Sequence, residues 1–163
     1  MCVVIDMNRL STVFNNNNRE SANFRRLREW ILEGPGFLVY GGSRYSNELS
    51  EGCSKLIKEL KNQSYKNVVV LRDDIVDNKE SEIGIAFPYA FNLDNEKNDG
   101  DPFIVAICIV SKTKIVCTND KRCKDAIESV FTKNRPRLYS SDKNADLLKP
   151  DNVVKIPKSK IKN

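Results

Sequence analysis

The chain has 163 residues, with 27 Lys and Arg against 22 Asp and Glu, a formal net charge of +5, and no histidine. That length suits one domain that buries roughly 70% of its unfolded surface without a disulfide or metal staple. The missing histidine excludes Ser-His and Cys-His triads, histidine bases and histidine metal ligands, so any chemistry falls to carboxylates, Lys, Tyr, Ser, Thr or Cys.

The chain enters a short apolar run at once, Cys2–Ile5, which reads as a strand buried on both faces. Asn15 to Asn18 is a polar run and reads as a loop. Over 21–33, Phe24, Leu27, Trp30 and Ile31 fall on one helical face, and Gly34-Pro35-Gly36 ends the helix. Phe37 to Tyr40 is a second strand. Over 43–61, Tyr45, Leu49, Cys53, Leu56, Ile57 and Leu60 form another apolar stripe, so a second helix is expected. Val68–Leu71 is a third strand.

Residues 72–100 carry Asp73, Asp74, Asp77, Glu80 and Glu82, then Pro88 and Asn98-Asp99-Gly100. They predict a short helix followed by a long surface loop, a length of loop that often carries function. Asp101 before Pro102 reads as the N-cap and first residue of a helix over 101–111, apolar all round and therefore central. Lys114 to Cys117 is a fourth strand. A helix over 120–131 turns Ala126, Ile127 and Val130 inward, and Arg137-Leu138-Tyr139 is a weak fifth strand at an edge.

Strands alternating with helices predict an α/β fold with right-handed crossovers: a three-layer α/β/α sandwich on a mainly parallel central sheet of four to five strands. The domain is expected to span 1–148. Residues 149–163 hold five Lys and one Asp, +4 of the chain's +5, and read as a basic, flexible tail that solvates or holds a polyanion.

The five cysteines, Cys2, Cys53, Cys108, Cys117 and Cys123, include no CxxC pair and sit mostly in apolar runs. They read as reduced, buried small hydrophobes, which predicts a cytoplasmic protein. The opening apolar run is too short for a signal-peptide core, and no stretch reaches the ~18 apolar residues of a membrane helix.

In a parallel sheet, ligands bind outside the carboxyl ends of the strands, near the point where strand order reverses. Four acids are expected there: Asp6 after strand one, Glu48 early in the helix after strand two, Asp101 at the start of the central helix, and Asp120 after strand four. Four carboxylates without a cation repel and raise each other's pKa, and oxygen ligands alone point to Mg²⁺ or Mn²⁺. Each acid also has a plain structural reading. Asp6 is a turn residue, Glu48 an exposed helix acid, and Asp101 and Asp120 are helix caps.

The segments Val4-Ile5-Asp6-Met7-Asn8-Arg9-Leu10, Tyr40 to Leu49 with Glu48, Asp99 to Ala106 with Asp101, and Val116 to Lys121 with Asp120 together resemble PIN-domain ribonucleases, in order and spacing, over roughly residues 1–140. The resemblance implies metal-dependent cleavage of RNA and frequent dimerisation. It makes Asp6, Glu48, Asp101 and Asp120 the catalytic metal ligands, with Asn8 and Thr118 in support and Asp125 a peripheral acid. Phe103 departs from the pattern, standing where related sequences often have a polar residue, usually His. A toxin with an antitoxin partner is one context this allows.

Other chemistries lack their motifs. No GxxxxGK[ST] accompanies Gly41-Gly42, which reads instead as a tight strand-to-helix turn. Strand one is not followed by Asp-x-Asp, since Met7 and Asn8 come after Asp6, and a receiver domain's acidic pair is missing. Arg25, Arg26 and Arg28 read as a solvated helix face before an RNA contact, and Trp30 as core or dimer interface. The function expected is a metal-dependent ribonuclease; the alternative is a non-catalytic PIN-like RNA-binding or protein-interaction module.

Overall fold

The computed structural model describes residues 2–52, 67–91, 101–149 and 156–162. The strands are β1 (Cys2–Ile5), β2 (Phe37–Gly41), β3 (Val68–Leu71), β4 (Ile115–Cys117) and β5 (Arg137–Leu138). They form one sheet in the order β3-β2-β1-β4-β5, with every neighbouring pair parallel. The register sets Val3 beside both Leu38 and Ile115. β1 is central, and all four of its residues are buried, as are the three of β4. That is why these strands read as continuous apolar runs rather than as alternation.

The helices are α1 (Met7–Phe14), α2 (Arg25–Leu32, entered through a 3-10 turn at Ser21–Phe24), α3 (Ser43–Gly52), α4 (Asp73–Ala86), α5 (Pro88–Phe91), α6 (Pro102–Ser111) and α7 (Lys121–Val130). α1 and α2 pack together, and α2 also meets the 3-10 segment Asp142–Leu148. α4 and α7 pack on α6, which lies directly on β1 and β2. The fold is therefore the α/β sandwich expected, with helices flanking a five-stranded parallel sheet.

α6 is the centre of that core. Phe103, Ile104, Val105, Ala106, Ile107 and Cys108 are all buried. Pro102 opens it at a position whose N–H has no helical partner anyway, and Lys112 closes it in the left-handed region at φ 57°. Truncating a buried residue such as Ile104 to Ala costs about 2–5 kcal/mol by transfer and cavity terms together. α2 buries Leu27, Trp30 and Ile31, which settles Trp30 as core. Cys2, Cys108, Cys117 and Cys123 are buried and unpaired; Cys53 lies outside the described residues.

Gly41 and Gly42 make the tight turn from β2 into α3, at φ 155° and 88°. A Cβ would sit 2.7 Å from Leu71 atoms at Gly41 and 2.7 Å from Val76 Cγ1 at Gly42. Only glycine fits such a turn without displacing the neighbouring strand or helix.

Several elements depart from expectation. Residues 7–14 form a helix that no apolar run announced. Residues 73–86 are one 14-residue helix, not a short one, and 88–91 add a further turn; 92–100 lie outside the described residues. The second stripe is helical over 43–52, and 53–61 lie outside the described residues. Residues 156–162, read from sequence as part of a flexible tail, instead run along the outer edge of β3. Ile161 forms an antiparallel bridge with Leu71, Lys162 N donates to Val70 O at 2.8 Å, and Arg72 N donates to Lys160 O at 2.9 Å. The physical reason is the edge itself: β3 has unpaired backbone groups, and a short strap satisfies them. Among the described residues no helix is long and apolar enough to cross a membrane.

Candidate functional site

β1 connects outward to β2 and β3, whereas β4 returns on the other side of β1. Strand order therefore reverses between β1 and β4, and the crevice lies beyond their carboxyl ends. Asp6 and Thr118 are the first residues past those two ends with polar side chains, since Ile5 pairs with Cys117.

Asp6 is 4% exposed. It caps α1, its Oδ1 accepting from Asn8 N at 3.3 Å, and its Oδ2 accepts from Thr118 Oγ1 at 2.5 Å. Thr118 Oγ1 in turn accepts from Asp120 N at 3.0 Å. One buried hydroxyl thus ties the ends of β1 and β4 together. Burial pushes the Asp6 carboxyl above its ordinary range; the Thr118 and Asn8 hydrogen bonds pull it back and the Asp120 charge adds to the rise.

α3 is pinned above this point by Tyr45, whose buried hydroxyl donates to Ile5 O at 2.6 Å. Tyr45 stacks on Tyr40 and meets the Phe103 ring edge-on. One turn along α3 from Arg44, Glu48 faces the same region. Burial raises its carboxyl, Arg44 lowers it, and Asp6 and Glu51 raise it. Asp101 stands at the N-cap position of α6, but its side chain makes no capping hydrogen bond. This corrects the plain structural reading of Asp101 as a cap. Its carboxyl is pushed up to about 7, first by burial and then by the charges of Asp6, Asp120 and Glu48, with Arg44 opposing.

The four acids expected from sequence do therefore act on one another electrostatically. They are not equally available. Asp120 does cap α7, its Oδ1 accepting from Arg122 N at 2.7 Å, and Arg122 also grips both carboxylate oxygens from its own side chain. That grip holds the Asp120 carboxyl below its ordinary value. Glu48 lies 3.8 Å from Arg44 Nε. Asn8 contributes chiefly its backbone N–H and is exposed. Asp125 is exposed on α7, with no side-chain partner among the described residues.

Sequence reasoning missed Arg44. Its guanidinium lies 5.1 Å over the Phe103 ring and pairs with both Glu48 and Glu80, the latter at 3.6 Å. The spacing of Arg44 and Glu48, four apart on a helix, was the signal available. An open cleft of about 230 Å³ adjoins the acids, lined by Asn8, Arg9, Asn119 and Asp120.

The donor chemistry suits a hard divalent ion: oxygens only, and an Asp101 carboxylate without a hydrogen-bond partner among the described residues, whose raised pKa a cation would relieve. In this arrangement, however, no three acids or thiols among the described residues come close enough together to enclose one ion. Compared with protein-family models, with curated proteins and with solved structures, the chain finds no match.

Proposed function

We propose that the protein is a metal-dependent ribonuclease whose site is the acidic end of the sheet at β1 and β4. The observation that carries this reading is Asp101: a half-buried carboxylate with no hydrogen-bond partner among the described residues, raised to about 7 beside three further acids. A purely structural acid at a helix start would cap it, as Asp120 does. Stability alone gives no reason to keep such a group; catalytic sites commonly hold groups of this kind.

The roles divide by how firmly each acid is held. Asp6, fixed by Thr118 and the α1 cap, is a rigid anionic ligand. Asp101 is the group able to orient a water and accept its proton, because Asp120 is committed to Arg122 and to its own helix. A bound Mg²⁺ or Mn²⁺ would supply the acidified water and offset charge on the phosphoryl oxygens. With Asp101 taking its proton, the water oxygen would add to phosphorus in line as the opposite P–O bond breaks, and the leaving ribose oxygen would take a proton from solvent. The cleft beside Asn8, Arg9 and Asn119 offers one cation and two amides to the adjoining nucleotide.

A second reading has an observation in its favour. With Glu48 on Arg44 and Asp120 on Arg122, the same end could serve a non-catalytic RNA-binding or interaction module. Incubating RNA with the protein separates the two. The nuclease reading expects cleavage with Mn²⁺ that chelation abolishes. Retention of RNA without any cleavage at saturating Mn²⁺ would establish the module instead. An antitoxin partner, a homodimer and a cytoplasmic setting remain parts of this proposal that rest on the family resemblance and the cysteines.

A further inference from the structure

We propose that the cavity at the amino end of β4 is a binding site for a small carboxylate with an apolar chain. It lies at the end of the sheet opposite to Asp6 and Thr118 and does not depend on the ribonuclease reading.

The cavity measures about 340 Å³, within the range of small-molecule sites, and is formed by the end of α6, the turn into β4 and the residues after α7. Its apolar wall is Cys108 and Ile109 of α6 with Phe131, the first residue past α7. Ile109 and Phe131 pack against the core yet are only partly buried. Covering that wall with an apolar chain removes it from water, which favours binding. Thr113 adds no free polar group. Its hydroxyl donates to Cys2 O at 2.8 Å and accepts from Ile115 N at 3.3 Å.

The charge on the rim is of one sign. Lys112 and Lys114 are the only charged residues that line the cavity. Lys114 Nζ reaches the neutral side chain of Asn134 at 3.3 Å, and neither lysine pairs with an acid among the described residues. Lys112 also holds a left-handed backbone, φ 57°, that glycine would adopt with less strain. The other non-glycine residue with positive φ among the described residues is Asn134, at 54° on the same rim. Residues held in such conformations cluster at ligand clamps.

The end of a helix favours a cation, which by itself accounts for Lys112. It does not account for Lys114, nor for an apolar hollow rimmed by two lysines and no acid. A monocarboxylate with an apolar chain matches both features: the chain lies on Cys108, Ile109 and Phe131, and the carboxylate meets the two ammonium groups. An anion without a chain would leave the wall in water, and an uncharged chain would leave the lysines without a counter-ion.

The test adds sodium octanoate, 1-octanol or sodium acetate to the isotope-labelled full-length chain and follows its backbone amides by NMR. In wild type, octanoate should shift the amides of Ile109, Lys112, Lys114 and Phe131 saturably, and octanol and acetate should each bind about tenfold more weakly or worse. Lys112→Gly combined with Lys114→Gln should keep the fold, since glycine suits the backbone at 112 and Lys114 makes only an exposed hydrogen bond. That variant should lose about tenfold in octanoate affinity, and Lys112→Gly alone should fall between it and wild type. Absence of a saturable shift at those amides with octanoate would overturn the proposal. Equal affinity for octanol, or an octanoate affinity unchanged in the doubly substituted protein, would overturn it too.

Discussion

Thr118 Oγ1 donates a 2.5 Å hydrogen bond to Asp6 Oδ2 across the ends of two adjacent parallel strands. Both residues are almost wholly buried, and the same hydroxyl accepts from Asp120 N. The bond therefore fixes the floor of the site and offsets part of the cost of burying Asp6.

Thr118→Val keeps the shape and removes the hydroxyl. The Asp6 carboxylate then loses a charge-assisted partner, and Asp120 N loses its acceptor. Stability should fall by about 1–3 kcal/mol, read from urea unfolding. Thr118→Ser should recover most of it. A Val variant as stable as wild type would show that the hydroxyl contributes nothing.

The pH dependence of the metal-free protein has a definite sign. Asp101 is raised from 3.8 to about 7 in the folded protein. Between those values the folded state holds a proton that the unfolded chain has lost, so stability declines as pH rises through the window. Asp6 and Glu48 are raised too and act in the same direction, while Asp120 and Asp74 are lowered and act against it. The difference between wild type and Asp101→Asn isolates Asp101. The variant should gain on wild type as pH rises through this window, then hold a constant advantage above it. Parallel stability curves for the two proteins would contradict the assigned environment of Asp101.

Much of this end of the molecule was legible in the sequence, for a reason that the strands make plain. Val3, Val4 and Ile5 are buried on both faces, so β1 appears as an unbroken apolar run and Asp6 as the first residue beyond it. α1 was not legible, because Asn8 and Arg9 were read within a motif that ran on from β1 rather than as part of a helix face. α4 was underestimated because its buried positions, Val76, Ile83 and Gly84, are too few to outline a stripe among its charges. The strap at 156–162 was hidden by its lysines, although Ile156 and Ile161 were there to be read. Arg44 was missed because its importance depends on Phe103 and Glu80, which only folding brings beside it.

Deleting residues 156–163 tests that strap. It removes two backbone hydrogen bonds to β3 and Arg72, the Lys162–Asp73 pair at 2.7 Å, and the Lys160 Nζ bond to Val110 O. Each backbone bond contributes about 1 kcal/mol, so the loss should show clearly in thermal unfolding. The bared edge should also favour aggregation, read by light scattering. A truncated protein that melts and scatters like wild type would make the strap an ornament of the edge.

Arg9 tests the cleft. Its guanidinium lies over Phe24 and pairs with Glu20 at 2.8 Å, with little of its side chain exposed. If it meets a phosphate, Arg9→Gln should weaken RNA binding and flatten its dependence on the logarithm of salt by ~0.7, the value of one lost single-strand contact. An unchanged slope would leave Arg9 as a partner of Glu20 only.

The central claim is that Asp101 performs chemistry, and the rate of RNA cleavage by Asp101→Asn tests it most directly. The carboxylate caps nothing, so the substitution removes one charge and no hydrogen bond of the described fold. Asp125→Asn, the same change on the exposed face of α7, is the control. Measured with Mn²⁺ at matched protein concentration, Asp101→Asn should fold, should bind RNA at least as well as wild type, and should cleave on the order of 100-fold more slowly or worse, while Asp125→Asn cleaves normally. Cleavage by Asp101→Asn at the wild-type rate would contradict the account.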